Sequence, residues 1–289
     1  MASLASRVEL LVKRISSRAS SPDCQHITAF SGGVDSSLAL KLVSLAYPSS
    51  SIAVIGVSAA LPESQLELAR TVAASIGAPL TEVKTDEGAN PDYIENKGAS
   101  CFHCKTALYS TLQSVLNHTS TYSNVTLYNG TNMDDTSDPT RVGLLAAANF
   151  SVQSPLDTMH KSEVRELAKH LGLPNYAHAA SPCLRSRLAF GVEATAEHLR
   201  RIEDAENFVK TTLGLNPEDN FRVRQLSGGR AMLELEPTSP GEDDFSAQRS
   251  LLHQSDIDKK FTGELGFSSW NVRAFKSGGE AVKVTLTNA

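Results

Sequence analysis

No apolar run in this chain approaches the roughly 18 residues that a membrane-spanning helix needs, so neither a span nor a membrane partner is expected. Cysteine is scarce as well. Four residues, Cys24, Cys101, Cys104 and Cys183, are too few to staple 289 residues together as a disulfide scaffold. A reducing compartment, and with it the cytoplasm, is the expectation. An excess of positive charge is also missing: Lys and Arg number 27 against 32 Asp and Glu, a net charge of −5. That balance argues against the overall basic field with which proteins grip a long nucleic acid, and leaves only a local basic patch open. Internal repeats and long low-complexity tracts are absent, which excludes solenoids and extended linkers.

What is present is the make-up of a folded protein of one or two domains, with 40% of residues hydrophobic. Near the N-terminus, Leu4, Val8, Leu11, Val12 and Ile15 recur at helical spacing. The same stretch is rich in Ser and Arg and poor in acid, as organellar transit peptides are. A helix leading into the first strand is the reading taken. Strand-like runs at His26–Phe30, Ile52–Val57, Leu80–Val83 and Val125–Tyr128 alternate with helical patterns at Glu63–Ile76 and Lys161–Leu171. Those helices stop at Gly77 and Pro79, and at Gly172 and Pro174. The alternation predicts an α/β fold: a mostly parallel sheet with helices on both faces, and ligands beyond the carboxyl ends of the strands.

After Gly191 the order changes. A charged helix, Thr195–Leu213, precedes short strand-like runs at Phe221–Leu226, Ala231–Glu236, Ser268–Ala274 and Ala281–Leu286, with a helical segment at Glu242–Gln254 between them. We therefore expect a first domain over 1–191 and a smaller α+β domain, for substrate binding or oligomerisation, over 192–289.

The stretch Ala29–Ser37, AFSGGVDSS, joins the first strand to a helix. A glycine-rich turn there suits an anion, because free N–H groups and the helix dipole point at it. The lysine of the usual triphosphate loop is missing and a carboxylate, Asp35, takes its place. The sequence Ser31-Gly32-Gly33-Val34-Asp35-Ser36 resembles the pyrophosphatase loop of the PP-loop ATPases, the adenine nucleotide alpha hydrolase-like fold, which cleave ATP between its α and β phosphates. In that reading Gly32 and Gly33 let backbone N–H groups approach the departing pyrophosphate, Ser31 and Ser36 add hydroxyl donors, and Asp35 holds a bridging Mg²⁺. Gly130, Thr131, Asn132 and Asp134 follow a predicted strand, should face the same crevice, and are assigned to ATP and its metal.

Cys101-Phe102-His103-Cys104 opens a predicted helix reaching about Asn117, and Cys183 stands in Ser181–Arg187. A lone CxxC is open among zinc, redox and iron–sulfur roles. Structural zinc wants four ligands, whereas three cysteines can hold three irons of a [4Fe–4S] cluster and leave the fourth open to a sulfide. Arg185, Arg187, Arg222 and Arg224 are candidates for a substrate phosphate; alternation puts Arg222 and Arg224 on one strand face. Cys24 and the isolated His103, His160 and His178 receive no role.

These motifs together resemble the LarE family, ATP-dependent sulfur transferases of nickel-pincer nucleotide biosynthesis. The matching stretches are Ala29–Ser37, Cys101–Leu108, Gly130–Asp135, Arg141–Leu144, Ser154–Pro174 and Pro182–Gly191, with Phe221–Arg224 and Phe275–Gly278 in the second domain. The resemblance implies adenylation of a carboxylate of a pyridinium dicarboxylate mononucleotide and its conversion to a thiocarboxylate. It also implies a small nucleotide substrate, sulfide or a sulfur-donor system as partner, and a homo-oligomer. Some members carry only the cysteine matching Cys183 and sacrifice its sulfur; those with all three resemble this chain, and Cys101, Cys104 and Cys183 would then hold a cluster. Cys183 and Asp35 are the expected catalytic residues. Acidic residues of the family's second domain bind divalent metal; Glu234 fits one such position, while Asn271 stands where the pattern has Asp. The rival readings are a tRNA-thiolating enzyme built on the same loop and a non-catalytic nucleotide-binding protein.

Overall fold

A computed structural model describes residues 3–17, 24–119, 124–137, 141–236 and 254–276. The helical segment expected at Glu242–Gln254, apart from Gln254 itself, and the run at Ala281–Leu286 lie outside them.

The elements run α1 (Leu4–Ser16), β1 (Cys24–Ala29), α2 (Val34–Ala46), β2 (Ser51–Val57), α3 (Glu63–Ile76) and β3 (Leu80–Lys84). They continue with α4 (Pro91–Ile94), α5 (Ser100–Thr119), β4 (Asn124–Tyr128), α6 (Met133–Thr136), α7 (Gly143–Asn149) and α8 (Lys161–His170). Then come α9 (Ala196–Leu213), β5 (Phe221–Leu226), β6 (Arg230–Leu235), α10 (Gln254–Asp258) and β7 (Ser269–Ala274). Helix α1 is present as the spacing predicts, Ser3 capping it by accepting from the Ser6 N–H.

The first four strands form one parallel sheet in the order β3-β2-β1-β4. Its inner strand β2, SIAVIGV, reads as a near-continuous apolar run because both faces are covered, whereas the edge strand β3, LTEVK, has exposed positions. Phe30, just beyond β1, and Ala53 and Ile55 of β2 pack against Leu40 of α2 and Val72 of α3. The alternate residues Ile27, Ala29 and Val54 pack against Leu108 and Leu112 of α5 and Ala146 of α7. Helices α1, α2 and α8 share a further cluster through Ile15, Leu38, Leu42, Val164 and Leu167.

The second sheet has the order β5-β6-β7, antiparallel between β5 and β6 and parallel between β6 and β7. Val223, Leu233, Phe261 and Val209 form its core with α9. Ala60, Tyr93 and Leu184 pack with Ala194, Leu199 and Ile202, so one apolar cluster holds residues from both sides of position 191. No helix among the described residues is long and apolar enough to cross a membrane.

Candidate functional site

Two neighbouring strands of the parallel sheet, β1 and β4, deliver their carboxyl ends to one crevice. β1 ends at Ala29, and Ser31–Gly33 turn into α2. Gly32 has φ +72°, a left-handed conformation that suits glycine, and a Cβ there would come within 2.9 Å of the Ala69 Cα. Gly33 is the N-cap and provides no side-chain cap, so the first amides of the 13-residue α2 keep their donors for a ligand. The Ser31 and Ser36 hydroxyls lie 3.0 Å apart, and Ser36 also donates to the Gly33 carbonyl at 3.0 Å. This ties the loop into a ring closed across the turn.

β4 feeds the loop beside it. A Cβ on Gly130 would stand 2.5 Å from the Ser36 nitrogen and 2.6 Å from the Asp35 carbonyl carbon, so the two backbones touch where glycine alone fits. The Thr131 N–H donates to Asn129 Oδ1 at 3.1 Å. Asn132 caps α6 in a capping box with Asp135, while its Nδ2 reaches Asp35 Oδ1 at 3.1 Å. Lys161, the first residue of α8, ion-pairs with the other Asp35 oxygen. Asp134 accepts from the Lys161 N–H at 2.8 Å and from His160 Nδ1 at 2.7 Å. These bonds, the backbone N–H first, hold its carboxyl below the ordinary carboxylate range. Ser31–Ser36, Gly130–Asp134 and Lys161 thus share one site, and Lys161 is a member that sequence reasoning missed.

The three thiols form a second group. Cys101 and Cys104 lie one turn apart at the start of α5, and Cys183 immediately precedes the 3₁₀ turn Leu184–Arg187. Cys101 is exposed, and Cys104 and Cys183 are half-buried. Arg185 joins them: Nη2 donates to Cys101 Sγ at 2.7 Å and Nη1 to Asn96 Oδ1 at 2.9 Å. Burial pushes the Cys104 thiol up to about 12, with charge on Cys183 and Glu87 acting in the same direction. Burial opposes the Arg185 cation, but Cys101 and Cys183 more than offset this and raise its pKa. Lys105 is raised against the same opposing burial, by Tyr109 and by the same thiols. Glu87, also unforeseen, accepts from Ser58 Oγ at 2.6 Å and lies 3.9 Å from Cys104 Sγ.

Three thiols beside two cations are a donor set suited to a thiolate-bound iron centre. As the side chains stand, no group of three His, Cys, Asp or Glu among the described residues is spaced to hold a metal ion. Cys24 stands apart from the trio: it is buried on β1, its sulfur 3.3 Å from Thr126 Oγ1.

The arginines divide differently from expectation. Arg222 and Arg224 are both buried, so the face they share is interior and not a solvated edge. Arg224 Nε donates to Glu234 Oε2 at 2.7 Å, and Arg273 Nη2 to Glu234 Oε1 at 2.5 Å. Glu234, expected as a divalent-metal ligand, is fully buried between these two guanidiniums, which a metal would have to displace. Arg187 is likewise interior, its Nε on Glu206 Oε1 at 3.0 Å and its Nη1 on the Cys183 carbonyl at 3.2 Å. Of the four arginines expected at a substrate phosphate, Arg187 and Arg224 therefore pair with carboxylates and Arg185 with a thiol. Arg222 has backbone carbonyls of Phe221 and Ala180 as hydrogen-bond partners and stacks 5.3 Å over the Phe275 ring. Burial, then the Arg187 charge, lowers its pKa to about 10.

No protein-family model matches the chain. Among known proteins, slr1717 of Synechocystis is 38% identical over 213 residues, covering 73% of this chain and 76% of the relative. The chain belongs to the slr1717 family. A second relative is the pyridinium-3,5-bisthiocarboxylic acid mononucleotide synthase of Lactiplantibacillus plantarum, 28% identical over 215 residues, or 73% of this chain and 74% of the synthase. Its name matches the product that the LarE resemblance implies. Over 86 residues, 28% of each protein, the chain is 36% identical to one component of the glutamine-hydrolysing GMP synthase of Pyrococcus furiosus.

Proposed function

We propose that this protein is an ATP-dependent sulfur transferase acting on a carboxylate of a small nucleotide, with the pyridinium-3,5-biscarboxylic acid mononucleotide as substrate. In the first step a substrate carboxylate oxygen attacks the α-phosphorus of ATP, the bond to the β-phosphate oxygen breaks, and pyrophosphate leaves. In the second, sulfur attacks the acyl carbon and the bond to AMP breaks, giving a thiocarboxylate. The observation that carries the reading is the meeting of Asp35, Lys161 and Asn132 at the uncapped start of α2.

In this scheme the amides of Gly32, Gly33 and the first turn of α2 receive the phosphates, with Ser31 and Ser36 as hydroxyl donors. Lys161 neutralises charge that builds on the departing pyrophosphate. Mg²⁺, held by Asp35, would supply positive charge against the phosphates. Gly130, Thr131, Asn132 and Asp134 line the ATP side, and Arg222, which among the described residues bonds backbone carbonyls and no carboxylate, is assigned to the substrate phosphate. A [4Fe–4S] cluster on Cys101, Cys104 and Cys183 would supply an iron-held sulfide. For that the Cys101 thiol has to leave Arg185. A sulfide source is then a necessary partner, and self-association through the second domain is part of the proposal.

A second reading keeps the first step and takes the sulfur from Cys183 itself, leaving dehydroalanine. It is favoured by the thiols standing apart from ligand spacing. Both readings require AMP and pyrophosphate. Product analysis with labelled ATP tests them together: ADP and phosphate as products would overturn the assignment.

A further inference from the structure

The phosphate-facing loop is held from behind by two amide side chains. Gln65, on α3, donates from Nε2 to the Ser31 carbonyl at 2.6 Å. Asn175, after α8, donates from Nδ2 to the Gly32 carbonyl at 2.7 Å and to the Ser37 hydroxyl at 2.9 Å. Both residues are buried, Asn175 completely. The orientation of its amide is dictated by its neighbour, since a flipped amide would press Oδ1 against the Gly32 oxygen. In the observed orientation Asn175 Oδ1 is buried without a donor among the described residues. The side chain is thus held in place for its N–H groups, at the expense of its own acceptor.

The consequence for the loop follows from peptide geometry. A trans peptide is planar, and its C=O and the next N–H point in opposite directions. Fixing the Ser31 carbonyl on Gln65 therefore aims the Gly32 N–H away from α3. Fixing the Gly32 carbonyl on Asn175 aims the Gly33 N–H away from the turn after α8. The Gly33 N–H accordingly points to Ser31 Oγ, to which it donates at 3.4 Å, a long bond that a phosphate oxygen can replace. The contact of Gly32 with Ala69, one turn beyond Gln65 on α3, removes the remaining freedom to roll.

We infer that Gln65 and Asn175 are positioning residues for anion binding: by holding two carbonyls they aim two amides at the β- and γ-phosphate oxygens. The inference rests on the reading of this loop as the pyrophosphate site, and it adds two residues that no motif marks. They touch the loop and not the ligand, so their effect is selective. Ligands with a pyrophosphate group depend on them, whereas AMP, which lacks one, does not.

The test is calorimetric binding of ATP, pyrophosphate and AMP to the full-length protein in Mg²⁺ buffer. Asn175→Asp and Gln65→Glu keep the shape but put an acceptor against a carbonyl. Affinity for ATP and pyrophosphate should fall about tenfold, the worth of one hydrogen bond, with AMP affinity changed less than about twofold. Asn175→Ala and Gln65→Ala bring no charge to the phosphates and must show the same split between ligands. Equal losses for all three ligands, or unchanged pyrophosphate affinity in the Ala variants, would overturn the inference. Wild-type protein that binds neither ATP nor pyrophosphate would instead overturn the reading of the loop.

Discussion

Lys161 ion-pairs with Asp35, a residue 126 positions earlier in the chain. One begins α8 and the other lies in the first turn of α2, so two helix N-termini meet at the carboxyl end of the sheet. A carboxylate at an anion site needs a cation, and here a side chain provides it. If Lys161 moves from Asp35 to the leaving pyrophosphate and so frees the carboxylate, which would hold Mg²⁺, both residues are required for the first step. Asp35→Ala should abolish formation of AMP and pyrophosphate, and Lys161→Ala should slow it by about 100-fold or more. Both positions are partly exposed, so the lost pair should cost the fold only about 0–1 kcal/mol. Pyrophosphate release and thermal denaturation measured on the same preparations check the two halves of this expectation.

Arg222 and Arg224 are separated by one residue and should respond in opposite ways. Arg222 has carbonyls and a ring for neighbours, so Arg222→Ala removes a phosphate contact with little left unpaired. The KM for the nucleotide substrate should rise by an amount equivalent to about 1.5–3 kcal/mol, at nearly constant ATP affinity. Arg224→Ala leaves Glu234 buried with Arg273 as its remaining cation, and should destabilise by up to about 3 kcal/mol. Steady-state kinetics and urea denaturation of the two variants separate the roles. An unchanged KM in Arg222→Ala would remove that residue from the substrate site.

Much of the fold was legible because its signals are local. Helix α3 spans Glu63–Ile76 as the sequence predicts, since Gly77 stops it at φ +80°. Strand β1 starts earlier than expected, at Cys24, because Cys24 and Gln25 pair with Asn124 and Val125 of β4, a contact that no local pattern encodes. The same division holds at the site. The phosphate loop reads as a contiguous motif, but Lys161, Asn175 and Gln65 act on it from distant segments of chain. Alternation correctly put Arg222 and Arg224 on one face. It is silent on whether that face is wet, and register alone sets Glu234 opposite Arg222.

Acid should weaken the fold through His26. Its ring is stacked on Tyr47 at 3.4 Å between centroids, and its Nδ1 lies 3.0 Å from the Tyr128 hydroxyl. Burial lowers its pKa from 6.5 to about 4, so the folded state favours the neutral ring. The unfolded chain takes up a proton first, and the stability present above pH 6.5 is lost progressively as pH falls toward 4. His26→Asn should flatten the dependence of melting temperature on pH across that window, whatever it does to stability at neutral pH. A wild-type slope that survives the substitution would assign the effect to other groups.

The three cysteines allow the two sulfur mechanisms to be separated. If Cys101, Cys104 and Cys183 hold a cluster jointly, loss of any one should remove most of the bound iron and most of the multiple-turnover activity. Three thiolates anchor three irons, and attachment at two points leaves the cluster open to loss and oxidation. Anaerobic purification followed by iron and sulfide analysis of the wild type and the three Cys→Ala variants reads this directly. If Cys183 gives up its own sulfur, the outcome differs. Cys101→Ala and Cys104→Ala would then keep a single turnover, and Cys183→Ala would keep none. The spent enzyme would also weigh about 34 Da less, the mass of H₂S eliminated from a cysteine. The hydrogen bond of Arg185 to Cys101 favours the cluster, because it sets a cation on a thiol that the sacrifice of Cys183 does not use. The expected result is therefore iron in the wild type and no loss of mass after reaction. A stoichiometric loss localised to Cys183 by mass spectrometry would reverse that assignment and leave the ATP chemistry of the loop intact.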